Sequence, residues 1–305
     1  EVSMLGADME KISEKIYGSD NPAKVAIIYD KESKWALNQS QGPRNCGLDY
    51  DNLCAQYYKY FWQNGIGVDV LDSRSDFEDY KIVIAPLLYM FHNDIQQKMR
   101  NFVERGGILL STAFSGVVDE NDFCFLGEAT QEKLSDVLGM WVEETDALFD
   151  EEANETSWNQ NTYKLKEICE VIHTTTAEVL AVYGKDYYKG APVITKNTYG
   201  VGTVYHIAAN CEDALIEDLC RQLVAEAQIT VILGDADIPD GIGICYRENE
   251  TKRYIFIGNF SDEAKCIDFS KSSGNEERAY VNILDDAKIG GKVCLEPYGI
   301  VILES

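Results

Sequence analysis

The chain is short of bases. Its 305 residues hold 27 Lys and Arg against 52 Asp and Glu, a formal net charge of −25 at pH 7. A surface this acidic repels phosphate backbones, and no basic stripe with interleaved aromatics interrupts it. Nucleic acid and anionic membrane are therefore excluded as partners. Histidine is scarce, with three in the chain, and none of the nine cysteines stands in a C-x-x-C pair. No Cys/His cluster thus has zinc spacing. No apolar run approaches the roughly 18 residues of a membrane span. The start, Glu1-Val2-Ser3-Met4, has no basic region leading into an apolar one, so no secretory signal is read there. It does not open with Met, as expected of a piece of a longer protein. Scattered thiols in a chain of this length point to a reducing compartment, with each cysteine a small buried hydrophobe. The expectation is a soluble, cytoplasmic protein with no metal and no cofactor.

What is present is a well-formed α/β pattern. Hydrophobic residues make up 45% of the chain, enough for a sizeable core. The clearest unit runs from Lys81 to Asp122. Ile82-Val83-Ile84-Ala85 is closed by Pro86, a helical stretch follows over Asn93–Glu104, Gly106-Gly107 stops it, and Ile108-Leu109-Leu110 leads to Ser111-Thr112. Short strands that are apolar at every position, separated by a helix, predict a parallel βαβ unit covered on both faces. Upstream, Val25–Tyr29 and Val68–Leu71 read as strands flanking a helix over Tyr50–Gln63, with Lys31–Leu48 as a long loop holding Trp35, Arg44 and Gly47. The alternation is that of a doubly wound, flavodoxin-like parallel sheet. Residues 2–17 predict an amphipathic helix through Leu5, Met9, Ile12 and Ile16, broken by Gly18–Pro22. Further strands are expected at Ile168–His173, Val179–Tyr183, Pro192–Thr195 and Thr203–Ala208, with Gln131–Leu138 as a short helix and Asp213–Ala227 as a closing one. Past Gln228 the helical period disappears. Six short β-type runs from Gly241 to Leu303 predict a small antiparallel barrel or sandwich, with a boundary near Ile229.

A sheet of this kind binds ligands at the carboxyl ends of its strands. After the first strand, Asp30-Lys31-Glu32-Ser33-Lys34 has no glycine before Gly42, so it is not a phosphate cradle. Asp30 alone does not make a phospho-acceptor site, which needs further acids and a lysine nearby. After the third strand, Ala85-Pro86-Leu87-Leu88-Tyr89 stands where a glutamine amidotransferase carries its cysteine nucleophile; no Cys is there, and His92 has no thiol beside it in sequence. Asp119-Glu120-Asn121-Asp122 offers carboxylates that either do acid/base work or form and cap a turn. Trp35 and Trp158 are read in polar loops, where an indole stacks on a sugar face, meets a partner subunit, or packs locally. No motif in the chain specifies an active site.

An ordered series of residues does resemble a known family. Val25–Asp30 followed by Trp35-Ala36-Leu37, then Ile84–Tyr89, Gly106-Gly107, Ser115–Asp122, Leu126-Gly127, Leu138-Gly139 and Tyr199–Tyr205 are similar to the middle domain of glycoside hydrolase family 42 β-galactosidases, and the tail from Ile229 to their small C-terminal domain. The resemblance implies an amidotransferase-like α/β trimerisation domain over residues 23–228, an antiparallel β domain over 229–305, and a linker helix over 1–22 leaving a catalytic barrel encoded upstream. Such a barrel needs about 250 residues and carries both catalytic glutamates, so this chain is expected to be non-catalytic by itself. The parent would be a homotrimer that hydrolyses terminal β-D-galactosides with retention. Trp35, Asp119 and Glu120 are the expected pocket-rim or interface residues. Two other readings stand beside this one: a stand-alone amidotransferase-like binding or scaffold module, and an enzyme acting through the acidic loop.

Overall fold

The computed structural model describes residues 2–40, 48–92, 94–125, 134–234, 236–270 and 280–305. Gly42, Arg44, Gly47, Asn93, Leu126-Gly127 and Gln131, all named above, lie outside the described residues. The chain divides into two compact units: Val25–Tyr58 with Asp69–Gln228, and Glu1–Lys24 with Lys59–Val68 and Ile229–Ser305.

Three helices and two strands open the described chain: α1 (Val2–Ile16), β1 (Val25–Ile28), α2 (Lys31–Gln39), α3 (Tyr50–Gln63) and β2 (Val68–Leu71). Next come β3 (Ile82–Ala85), β4 (Met90–Phe91), α4 (Ile95–Glu104), β5 (Ile108–Thr112) and β6 (Val118–Asp119). A short α5 (Ser135–Leu138) precedes β7 (Met140–Ala147), β8 (Asn154–Trp158) and β9 (Asn161–Thr174). Then follow β10 (Glu178–Val182), β11 (Pro192–Tyr199), β12 (Gly202–Ile207), β13 (Ala209–Cys211) and α6 (Asp213–Glu226).

The main sheet of the larger unit has the order β10-β11-β12-β5-β3-β1-β2. β1, β3, β5 and β12 are parallel neighbours, and β1, β3 and β5 are buried at every position. That complete burial is why they read as unbroken apolar runs. The sheet is mixed, not wholly parallel, because β11 and β10 extend it antiparallel through a hairpin. The hairpin turns at Gly200-Val201, with Gly200 in the left-handed region at φ 59°. A Cβ on the next glycine, Gly202, would lie 2.0 Å from the Val103 carbonyl oxygen, so this turn seats directly on the end of α4.

The same unit holds a second, antiparallel sheet, in which β9 pairs with β7, β8 and β13. Of this sheet only Ile168–His173 is predicted from the sequence. The rest alternates buried and exposed residues with many charges on the outer face, as in the burial of β8, where Asn154, Thr156 and Trp158 turn inward. It therefore lacks an apolar run. Two further expectations are corrected here. Residues 31–39 form a helix, not a loop, because Asp30 caps it and Ser33, Ala36 and Leu37 make a buried stripe. Trp158 closes a strand and is buried, not in an open loop.

In the smaller unit β14 (Ile242–Glu248), β15 (Arg253–Asn259), β16 (Lys265–Asp268), β17 (Tyr280–Asn282), β18 (Lys288–Ile289), β19 (Lys292–Leu295) and β20 (Ile300–Glu304) form an antiparallel β domain. Its five-stranded sheet runs β14-β15-β20-β17-β18, and β16 and β19 make a separate ribbon. One core, including Ile242, Ile257, Phe269, Tyr280 and Leu303, fills it. α1 lays Ile12 against Tyr254, Ile283 and Ile302, a burial worth about 1.5–3 kcal/mol for one isoleucine. The Lys11 ammonium donates to the Leu284 carbonyl at 3.1 Å. Leu5 and Met9, on the same predicted face, remain exposed.

Candidate functional site

The carboxyl ends of the parallel strands carry a buried polar cluster built around Asp30. Its Oδ1 accepts the Ser33 N–H at 2.6 Å, which caps α2, and its Oδ2 accepts the Ser73 hydroxyl at 2.5 Å. The Asp30 N–H donates to the Tyr50 hydroxyl at 2.9 Å. The Ser33 hydroxyl in turn accepts the Met90 N–H at 3.0 Å, so β1, α2 and the segments after β2 and β3 are tied together. His92 Nε2 lies 3.3 Å from Asp30 Oδ2 and 3.2 Å from Glu32 Oε2, and Arg74 pairs with Glu32 at 2.7 Å. Burial by itself would lift the Asp30 carboxyl, but the Ser73 hydroxyl, the Ser33 N–H and the His92 ring hold it below the usual carboxylate value. The arrangement keeps a carboxylate charged and fully coordinated by the protein. Its chemistry is that of a cap and clasp.

The sequence-predicted residues stand close to this end of the sheet. Ala36 and Leu37 of α2 share one core cluster with Met90 of β4 and Val118 of β6, and Phe91 pairs in register with Asp119. Trp35 lies on the outer side of α2, 61% exposed. Asp119 Oδ1 accepts the N–H groups of Asn121 and Phe123 at 2.8 and 3.0 Å, and its own N–H donates to the Phe123 carbonyl at 2.9 Å. Its carboxylate is thus used to form the turn, with Asp122 in the left-handed region at φ 63°. Glu120 is exposed on that turn. The nearby Phe123 ring is also exposed.

A second buried pair escaped the sequence reading. Glu170 of β9 and His206 of β12 are fully buried. Glu170 Oε1 accepts the Phe114 N–H at 2.8 Å, and Oε2 lies 3.5 Å from His206 Nε2. Among the described residues, both ring nitrogens of His206 and Glu170 Oε2 have no hydrogen-bond partner. The only signal was one acid inside the apolar run Ile168–Ile172. Beside this pair the turn after β3 holds Leu87 at φ 43°, its N–H donating to the Thr112 hydroxyl at 2.7 Å. An aliphatic side chain, that of Leu87, occupies this left-handed position. A polar cleft of about 280 Å³ lined by Leu148, Glu152, Ala153, Asn154, Lys185 and Asp186 includes none of Trp35, Asp119 and Glu120. Among the described residues no group of three or more His, Cys, Asp or Glu is placed to hold a metal ion.

Comparison with known proteins gives the class. Residues 23–230 match the model of the β-galactosidase trimerisation domain, and residues 241–305 that of the β-galactosidase C-terminal domain. The chain belongs to the glycoside hydrolase family 42 β-galactosidases through these two domains. It is 36% identical over its whole length to β-galactosidase BglY of Alicyclobacillus acidocaldarius, covering 44% of that protein. It is 37% identical over 99% of its length to β-galactosidase Pbg of Clostridium perfringens, again covering 44%. Among solved structures, Gan42B, a GH42 β-galactosidase from G. stearothermophilus solved as a catalytic mutant, matches with a TM-score of 0.91 and 32% identity, over 100% of this chain and 43% of that one. The β-galactosidase of Bacillus circulans sp. alkalophilus matches at 0.89 and 34%, over 98% and 44%. The chain thus spans less than half the length of the relatives it matches.

Proposed function

We propose that this chain is the assembly and C-terminal part of a β-galactosidase that hydrolyses terminal β-D-galactosides by a retaining mechanism. The observation that carries this reading is the pair of family matches in order, 23–230 then 241–305. In this reading residues 1–22 connect to a barrel that holds both catalytic glutamates, 23–228 trimerise, and 229–305 form the small antiparallel β domain. The strand order β2-β1-β3-β5-β12 supports a flavodoxin-like, amidotransferase-like ancestry for the larger domain. Leu87 in the turn after β3 and Asp119 engaged in its own turn support a structural use of both places. Trp35, exposed on α2, is assigned to the subunit interface or the pocket rim, and so are Asp119 and Glu120. The protein is assigned to the cytoplasm.

Two measurements test this. The purified chain should leave a nitrophenyl β-galactoside untouched, while the same chain preceded by its upstream reading frame should hydrolyse it. Light scattering of that longer protein should give three times the subunit mass. Hydrolysis by the chain alone, well above blank, overturns the assignment, and a monomer overturns the assembly role.

A further inference from the structure

The ribbon formed by β16 and β19 carries two cysteines where packing has no use for them. Along β16 Ile267 turns inward, and along β19 Val293 and Leu295 do the same, all three in the core of the β domain. Cys266 and Cys294 occupy the alternate, exposed positions. They are register partners in the antiparallel pair, with Cα atoms 4.0 Å apart and the sulfurs joined in a disulfide. This corrects the expectation that every cysteine is a buried thiol. Period-2 alternation puts this pair on the solvent face, and direct cross-strand register brings the two side chains together. Six other described cysteines are free, and four of them, Cys54, Cys169, Cys211 and Cys220, are buried. The bonded pair differs from these in being both paired and accessible. Lys292 lies on the outer face beside Cys294, across from Asp268, and Lys265 adjoins Cys266 in an otherwise strongly acidic chain.

We propose that Cys266 and Cys294 form a reversible modification site for small thiols of the glutathione class. A glutathione thiolate attacks one sulfur of the bridge, forming a mixed disulfide and releasing the other cysteine as a thiolate. A second glutathione thiolate then attacks the mixed disulfide, releasing the second cysteine and one glutathione disulfide. Two electrons pass from two glutathiones to the protein, and the two protein thiolates take protons from water. The reverse sequence closes the bridge with glutathione disulfide as oxidant. Closure fixes a 28-residue separation that contains β17, a neighbour of β20 in the main sheet of this domain. The redox state of the pair therefore sets how firmly β16 and β19 are held to each other.

The test is differential alkylation with peptide mapping on the full-length protein in native buffer, across mixtures of reduced and oxidised glutathione. Cys266 and Cys294 should change together, the ratio of reduced to bridged protein following the square of the glutathione concentration over that of glutathione disulfide, while Cys169, Cys211 and Cys220 stay unchanged. Backbone hydrogen exchange at Ile267 and Val293 should speed up about tenfold on reduction, and the Cys266→Ser/Cys294→Ser protein should exchange at the reduced rate under both conditions. The proposal fails if the pair stays as thiols in glutathione disulfide, if the bridge survives millimolar dithiothreitol without denaturant, or if the two cysteines react independently.

Discussion

Replacing Asp30 by alanine tests how the carboxyl end of the sheet is held. The substitution removes the side-chain cap of α2, worth typically about 1 kcal/mol. It also removes the acceptor of the buried Ser73 hydroxyl, a bond to a charged group worth about 1.5–3 kcal/mol. The imidazole of His92, within 3.3 Å, loses one of its two carboxylate neighbours. Together these give a loss of about 3–4 kcal/mol. In a domain of this size each kcal/mol lowers the melting temperature by about 2–4 °C, so a fall of at least about 6 °C is expected by scanning calorimetry. Asp30→Asn keeps the cap through its one carbonyl oxygen, and its amide NH2 faces the Ser73 hydroxyl as a donor in place of the lost acceptor, so it should lose only about 1 kcal/mol. A double-mutant cycle with Ser73→Ala should show a coupling of about 1 kcal/mol or more. If Asp30→Ala unfolds within about 0.5 kcal/mol of the parent, or if Asn is as damaging as Ala, the cluster is not the clasp described.

The same residue gives a pH prediction. Its folded carboxyl titrates below the unfolded one, so its contribution is fully present above the ordinary aspartate range and is lost as pH falls through the folded value. Urea midpoints measured between about pH 3 and 6 should fall more steeply for the parent than for Asp30→Asn. Gly202→Ala places a Cβ 2.0 Å from Val103 O and 2.6 Å from Gly107 O; backbone cannot yield there, and a loss of about 2 kcal/mol or more is expected in calorimetry. Asn259→Ala removes acceptors for the Ser261 N–H and hydroxyl and a donor to the Glu263 and Glu296 carbonyls, which should cost the β domain about 2–4 kcal/mol in chemical denaturation. Trp35→Ala in the full-length protein should leave stability within about 0.5 kcal/mol, because the ring is exposed, yet raise KM or shift sedimentation toward smaller species. Unchanged kinetics and sedimentation would remove Trp35 from the interface and the rim.

The elements most legible in the sequence were those with a clear period or an unbroken apolar run. The strands at Ile82 and Ile108 are buried at every position and read as apolar runs, Lys292–Leu295 alternates exposed and buried residues, and Tyr50–Gln63 sits where its helical spacing puts it, because each kind of burial writes its period directly into the residues. The order of these elements also carried the family resemblance. Half-solvated elements were harder. Strands β7 and β8 carry many charged or polar residues and gave no apolar run, and the helix after Asp30 depends on a cap made by one side chain and on three buried residues. Partnership between distant residues was decided by the tertiary structure alone. Asp30 meets Ser73 and His92, Glu170 meets His206, and Cys266 meets Cys294 because parallel crossovers and antiparallel register bring together positions far apart in the chain. A residue's type and local period say which face it takes, and only the closing of the sheet says what waits on the other side.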